Sequence, residues 1–127
     1  MNLLFDQYVI TSTTDLQGNI LNVSQPFVDI SGYSKAELIG CPHNIVRHND
    51  MPKLAFKDLW KTVQKGENWS GFVKNATASG GYYWVYATVY PFESSNGSKG
   101  YLSCRRKASD EEIRVHTDLY KQWKSQE

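Results

Sequence analysis

The chain has 127 residues and a mass of 14.5 kDa, the size of one domain, and its 14 Lys and Arg against 13 Asp and Glu leave a net charge of +1. A charge this even supplies no overall field for drawing in nucleic acid or an anionic membrane, and 40% apolar residues with 8 Tyr, 5 Phe and 4 Trp exclude a disordered chain. Cys41 and Cys104 fit neither a metal spacing nor a disulfide framework, the opening MNLLFDQ is no signal peptide, and no apolar run approaches the ~18 residues of a membrane span, so a reducing, cytoplasmic setting is expected.

The first residues, Met1–Gln7, are set apart as an N-terminal cap segment, and residues 8–108 read as one unit. Tyr8 to Thr14 is rich in β-branched residues and suits a strand; Asp15-Leu-Gln-Gly18 is a turn, and Asn19 to Val23 the returning strand. Ser24 or Gln25 opens a short helix with Pro26 in its first turn, Phe27, Val28 and Ile30 on its apolar side, and Gly32 as its stop. Ser34-Lys-Ala-Glu37 matches a capping box. The strongest helix signal runs from Pro52 to Gln64, where Phe56, Leu59, Trp60 and Val63 fall at i, i+3, i+4 and i+7. Asp50 stands where an N-cap belongs and Gly66 where a C-cap belongs.

After Gly66 the period changes from helix to strand. Trp69 to Ala78 is one strand, Ser79-Gly-Gly81 a hairpin turn, Tyr82 to Phe92 a long strand, Glu93 to Lys99 a loop, and Gly100 to Lys107 the last strand. The order predicts an α+β domain, a five-stranded antiparallel sheet with helices on one face. Residues 109–127 form a separate C-terminal output helix, opened by a second capping box at Ser109-Asp-Glu-Glu112. Its seam of Ile113, His116, Tyr120 and Trp123 suits a coiled-coil partner or packing back onto the sheet equally well. On the long strand Tyr83, Val85, Ala87 and Val89 alternate with Tyr82, Trp84, Tyr86, Thr88 and Tyr90. Both faces are apolar or ring-rich, whereas a sheet facing water is polar on one side. The outer face is therefore expected to be covered, by Met1–Gln7, the tail helix, a second copy or a downstream domain.

No nucleophile elbow or phosphate loop is present, so no enzyme is expected. His43, His48 and Asp50 follow no common zinc spacing, which argues against a metal site, while a single axial His keeps haem open. The densest feature is Pro42-His-Asn-Ile-Val-Arg-His-Asn-Asp-Met-Pro52. Arg47, His48 and Asp50 precede a helix N-terminus and suit an anion; the plainer account has Asp50 cap the helix and Arg47 pair with it. Trp69 and Asn75 on the next strand suit a planar, hydrogen-bonding ligand, or else are a core Trp and a surface Asn.

Ser12-Thr-Thr-Asp-Leu-Gln-Gly18, Ile30-Ser-Gly-Tyr33, Glu37-Leu-Ile-Gly40, the string from Pro42 to Pro52, Trp69-Ser-Gly71, Val73-Lys-Asn75, Tyr83-Trp84 and Gly100-Tyr101 together resemble a PAS domain. The closer resemblance is to the flavin-binding PAS domain at the N-terminus of bacterial aerotaxis receptors. It implies FAD held non-covalently between the helices and the sheet by His43, Arg47, His48, Asp50, Trp69, Asn75 and Tyr83. Phe56 joins these from its helical periodicity as a pocket or core wall, with Phe27 and Trp60. The register places His43 where related blue-light domains carry their flavin-bonding Cys, so no covalent photochemistry is expected, and Cys41 is a bystander. The resemblance implies redox or oxygen sensing, with Asn75 reporting the state of the ring. The partners it implies are a downstream signalling domain or membrane-anchored receptor segments, and a PAS–PAS homodimer, with no nucleic acid. A haem- or other ligand-binding PAS sensor and an apo PAS dimerisation module remain the alternatives.

Overall fold

A computed structural model describes residues 10–127; the cap segment Met1–Gln7 and the expected strand start at Tyr8 lie outside the described residues. The five strands are β1 (Ile10–Asp15), β2 (Ile20–Val23), β3 (Trp69–Ala76), β4 (Tyr82–Glu93) and β5 (Lys99–Lys107). They form one five-stranded antiparallel sheet, as the sequence predicts, and the structure sets its lateral order as β2-β1-β5-β4-β3. Between β2 and β3 lie α1 (Gln25–Ser31), α2 (Lys35–Leu38), a 3-10 turn (His43–Val46) and α3 (Lys53–Gln64). The tail is α4 (Asp110–Lys124).

Local chemistry sets most of these boundaries. The Ser24 side chain accepts from the Phe27 N–H to cap α1, and Gly32 ends that helix at φ 78, in the left-handed region. Both predicted capping boxes close, Ser34 with Glu37 and Ser109 with Glu112. The start of α3 differs from expectation. Its N-cap is Pro52, which offers no side-chain acceptor, and Asp50 does not cap it. The chain turns just upstream, where Met51 N–H donates to the His48 carbonyl at 3.1 Å, and this sends the Asp50 carboxylate to Lys74 at 2.7 Å. The Glu127 carboxylate instead accepts from the Lys53 and Leu54 N–H groups at 2.5 and 3.3 Å. The hairpin turn also starts earlier than expected, because the Thr77 hydroxyl accepts from Gly81 N–H and closes β3 at Ala76.

The sheet divides the domain into two compartments. On one side α1, α2, α3 and the 3-10 turn bury Ile20, Phe27, Leu38, Val46 and Val85 almost completely. On the other side α4 lies against β3 and β4, so the predicted cover of the ring-rich face is the tail helix. Tyr120 stacks on Trp84 at 5.9 Å, His116 sits against Phe72 at 4.0 Å, and the Tyr120 hydroxyl donates to the Phe72 carbonyl at 2.6 Å. Arg106 clasps Glu112 through two hydrogen bonds of 2.9 Å, and this pairing holds the Glu112 carboxyl down at about 2. Trp84 is 6% exposed, whereas Tyr82, at the end of β4, stays 62% exposed.

Each edge strand of the sheet has part of its outer backbone engaged. Along β2, Ile20 N–H donates to the Cys41 carbonyl, and Gly40 N–H to that of Ile20, each at 2.8 Å. Along β3, His48 N–H donates to the Lys74 carbonyl and Lys74 N–H to the Met51 sulfur at 3.2 Å.

Candidate functional site

Strand register assembles the inner face of the sheet. Cross-strand pairing puts Ile10, Arg105, Ala87 and Gly71 in one row, and Ser12, Ser103, Val89 and Trp69 in the next. Asn75 and Tyr83 pair further along. The Arg105 side chain runs toward β1, reaching Ser12 and His43. Gly71 serves Trp69. A Cβ there would stand 2.6 Å from the Trp69 ring, so only glycine lets the indole lie flat along its own strand. The Trp69 Nε1–H then donates to Asp58 of α3 at 2.9 Å, fixing the plane of the ring.

Two adjoining cavities of about 100 and 70 Å³ lie between this face and α3. Both are lined by His43, Phe56, Leu59, Val89, Ser103 and Arg105. One extends to Ser12, Thr14, Gly18 and Trp60; the other to Arg47, Trp69, Val73 and Asn75. A multi-ring ligand needs more room than this, and the α3 side chains Phe56, Leu59 and Trp60 form the wall that bounds the cavities.

Arg105 dominates the electrostatics. It is 5% exposed, and among the described residues no carboxylate pairs with it. It donates to the Ser12 hydroxyl at 3.1 Å and to His43 Nε2 at 2.8 Å. Burial pulls its pKa down to about 10. A guanidinium only donates, so His43 Nε2 accepts and the imidazole proton resides on Nδ1. Burial, and then the Arg105 charge, push the His43 pKa down to about 3. The Ser12–His43 contact of 3.1 Å has the outline of a nucleophile and its base. Arg105 occupies the same nitrogen, and a base this weak takes no proton near neutrality. Two further polar atoms, Tyr83 Oη and Ser103 Oγ, are buried without a hydrogen-bond partner. The Tyr83 hydroxyl lies beside Asn75 without closing a well-formed bond to it, and burial raises its pKa.

The predicted residues separate into two groups. His43, Phe56, Trp69 and Asn75 line the cavities, and Asn75 is 3% exposed rather than a surface residue. Tyr83 adjoins Asn75 across the strand pair. Arg47 sits at the exposed rim, its guanidinium 3.6 Å from the Phe56 ring centre, and does not pair with Asp50. His48 and Asp50 lie outside the cavity. His48 Nδ1 accepts from Asp50 N–H at 3.0 Å, its ring meets Tyr82 edge-on, and Asp50 binds Lys74. Cys41 donates to the Glu37 carbonyl, away from the cavity. The sequence reading missed Arg105, Ser12 and Ser103. Alternation could have found them, because Tyr101, Ser103 and Arg105 share one face of β5.

The PAS fold family matches residues 20–105. The chain is 50% identical over 118 residues to the aerotaxis receptor of Escherichia coli (strain K12), covering 93% of this chain and 23% of that protein. It is 26% identical over 117 residues to the nitrogen fixation regulatory protein of Klebsiella oxytoca, covering 87% and 24%. The chain thus spans about a quarter of the length of these relatives. Among solved structures, the light state of the blue-light photoreceptor Aureochrome1 LOV superposes with a TM-score of 0.77 at 20% identity, covering 92% of this chain and 94% of that one.

Proposed function

This chain belongs to the PAS fold family, and from that premise we propose that it is a sensory module that holds FAD non-covalently and reports redox or oxygen state to a downstream signalling domain. The observation that carries the reading is the buried Arg105, which has hydrogen bonds to Ser12 and His43 but, among the described residues, no counter-charge. An uncompensated buried charge beside two unpartnered polar atoms is costly to keep and suits an electron-rich ligand. A flavin's pyrimidine rim presents carbonyl oxygens and an N–H, and the donors and acceptors of Arg105, Ser103, Tyr83 and Asn75 fit it. Trp69 and Phe56 supply the apolar ring surfaces. The 50% identity to an aerotaxis receptor supports a sensory output of the aerotaxis type.

Bound FAD supplies the electron exchange; the protein binds, orients and reads it. Arg105 holds positive charge against the ring rim, and the tautomer of His43 is fixed by Arg105. Asn75 carries both a donor and an acceptor and adjoins the free Tyr83 hydroxyl, so it can re-pair when the ligand's hydrogen bonding changes. β3 takes this change to α4, because Phe72, three residues before Asn75, accepts from Tyr120. Haem fits less well: His43 is the one histidine lining the cavities among the described residues, and its Nε2 is already engaged. With so weak a base beside Ser12, the module is read as non-enzymatic. We assign it to the cytoplasm, joined to receptor segments beyond this chain. Among the described residues no helix is long and apolar enough to cross a membrane.

The purified protein should absorb near about 450 nm and release FAD on denaturation; no absorbance after reconstitution with FAD overturns the reading. Asn75→Ala should keep its flavin and lose output. Normal output with normal flavin content would remove Asn75 as the reporter.

A further inference from the structure

The balanced overall charge conceals a segregated one. Lys53, Lys57 and Lys61 repeat every four residues along α3, and Lys65 continues the series at its C-cap. This spacing stacks them into one ridge about 18 Å long. All four are exposed, and among the described residues none forms an ion pair. The opposite face of the same helix carries Ala55, Phe56, Leu59 and Val63 toward the core and cavity. Nothing in folding calls for lysines here, since like charges at this spacing oppose the helix. Lys121 and Lys124 are also exposed but lie beside Asp50, and the Glu127 carboxylate stands at the start of α3, so the ridge is the α3 series alone.

We propose that this ridge is a peripheral docking surface for an anionic lipid bilayer. Charge complementarity identifies a polyanion, and side-chain chemistry identifies which kind. Protein interfaces are depleted in lysine and built on buried ring or arginine anchors. The ridge has neither, and Leu54 is the one large apolar residue of α3 exposed beside it. Nucleic-acid recognition relies on arginine forks and groove-reading side chains, which the ridge also lacks. Hydrated, flexible ammonium groups in a straight row suit a fluid, planar layer of phosphate headgroups. With its apolar face committed to the core, α3 touches the bilayer without inserting into it. The inference does not depend on which ligand fills the cavity.

The test is sedimentation of the whole chain with vesicles of phosphatidylcholine alone or mixed with phosphatidylglycerol. Binding should require phosphatidylglycerol and vanish at about 1 M salt, where the Debye length is about 3 Å. The double variant Lys57→Gln/Lys61→Gln should weaken partitioning roughly tenfold to thirtyfold, and Lys57→Arg/Lys61→Arg should preserve it. Both pairs lie on an exposed face, and an unchanged melting curve confirms that folding is intact. No binding by the parent chain overturns the proposal, as does equal binding by the Gln variant. Tighter retention on duplex DNA or polyglutamate than on the vesicles assigns the ridge to another polyanion and overturns it as well.

Discussion

At the scale of single residues, Arg105 and His43 make separable predictions. A buried charge without a counter-ion is retained at a cost to the ligand-free protein. Arg105→Met, which keeps an unbranched apolar stem and removes the charged head, should stabilise the ligand-free domain by about 1–3 kcal/mol while sharply lowering flavin retention. Denaturant midpoints and the ratio of flavin to protein absorbance measure the two effects; a destabilised variant with full flavin content contradicts the assignment. His43 sets a pH dependence. Its folded pKa of about 3 lies below the ordinary 6.5, so between these values the unfolded chain binds a proton that the folded chain refuses. Stability is then complete above pH 6.5 and falls as pH drops, by at most about 1.4 kcal/mol per unit. Glu112, also held below its ordinary 4.5, adds its own loss only at lower pH. The window between pH 6.5 and 4.5 therefore isolates His43, and His43→Gln should flatten the slope of the denaturation midpoint there.

At the scale of elements, α4 is a cover with two fastenings. One is the ring cluster and ion pair over β3 and β4, with Tyr120 at its centre, 6% exposed and its hydroxyl pKa raised to about 12 by burial. Tyr120→Phe removes one hydrogen bond and should cost about 1 kcal/mol. Tyr120→Ala removes the stack on Trp84 as well and should cost about 3 kcal/mol or more, with a red shift in Trp84 emission. Equal cost for the two variants would show that the ring adds nothing. The other fastening joins the end of α4 to the loop beneath the cavity rim: Lys124 donates to the Asn49 carbonyl and Glu127 caps α3. The sequence showed the α4 seam but not its destination, because Ile113, His116, Tyr120 and Trp123 serve a sheet or a second helix equally well. It misplaced the cap of α3 because a residue 74 positions away supplies it. Caps and turns that close within a few residues, such as Ser24, Ser34 and Ser109, were legible.

At the scale of the molecule, the succession of strands and helices was readable because period-2 and period-3.6 segments were cleanly separated by Gly66 and the glycine turns, whereas the lateral order, with β5 between β1 and β4, depends on long-range pairing that no local pattern carries. The candidate site was readable where ring and amide residues stand out, at Trp69 and Asn75. It was not readable at Arg105, where the adjoining Arg106 and Lys107 look like one solvated basic run, and only the phase of β5 turns Arg105 inward. Composition erred in a similar way by averaging away the α3 ridge. The engaged edges have a consequence of their own. Strand addition is the route by which sheets recruit foreign chains and polymerise, and here the outward backbone groups of Ile20 on β2 and of Phe72 and Lys74 on β3 are engaged by Gly40, Cys41, His48, Met51 and Tyr120. An incoming strand would have to displace the Gly40–Cys41 or His48–Met51 segment before it could pair with β2 or β3 at these positions.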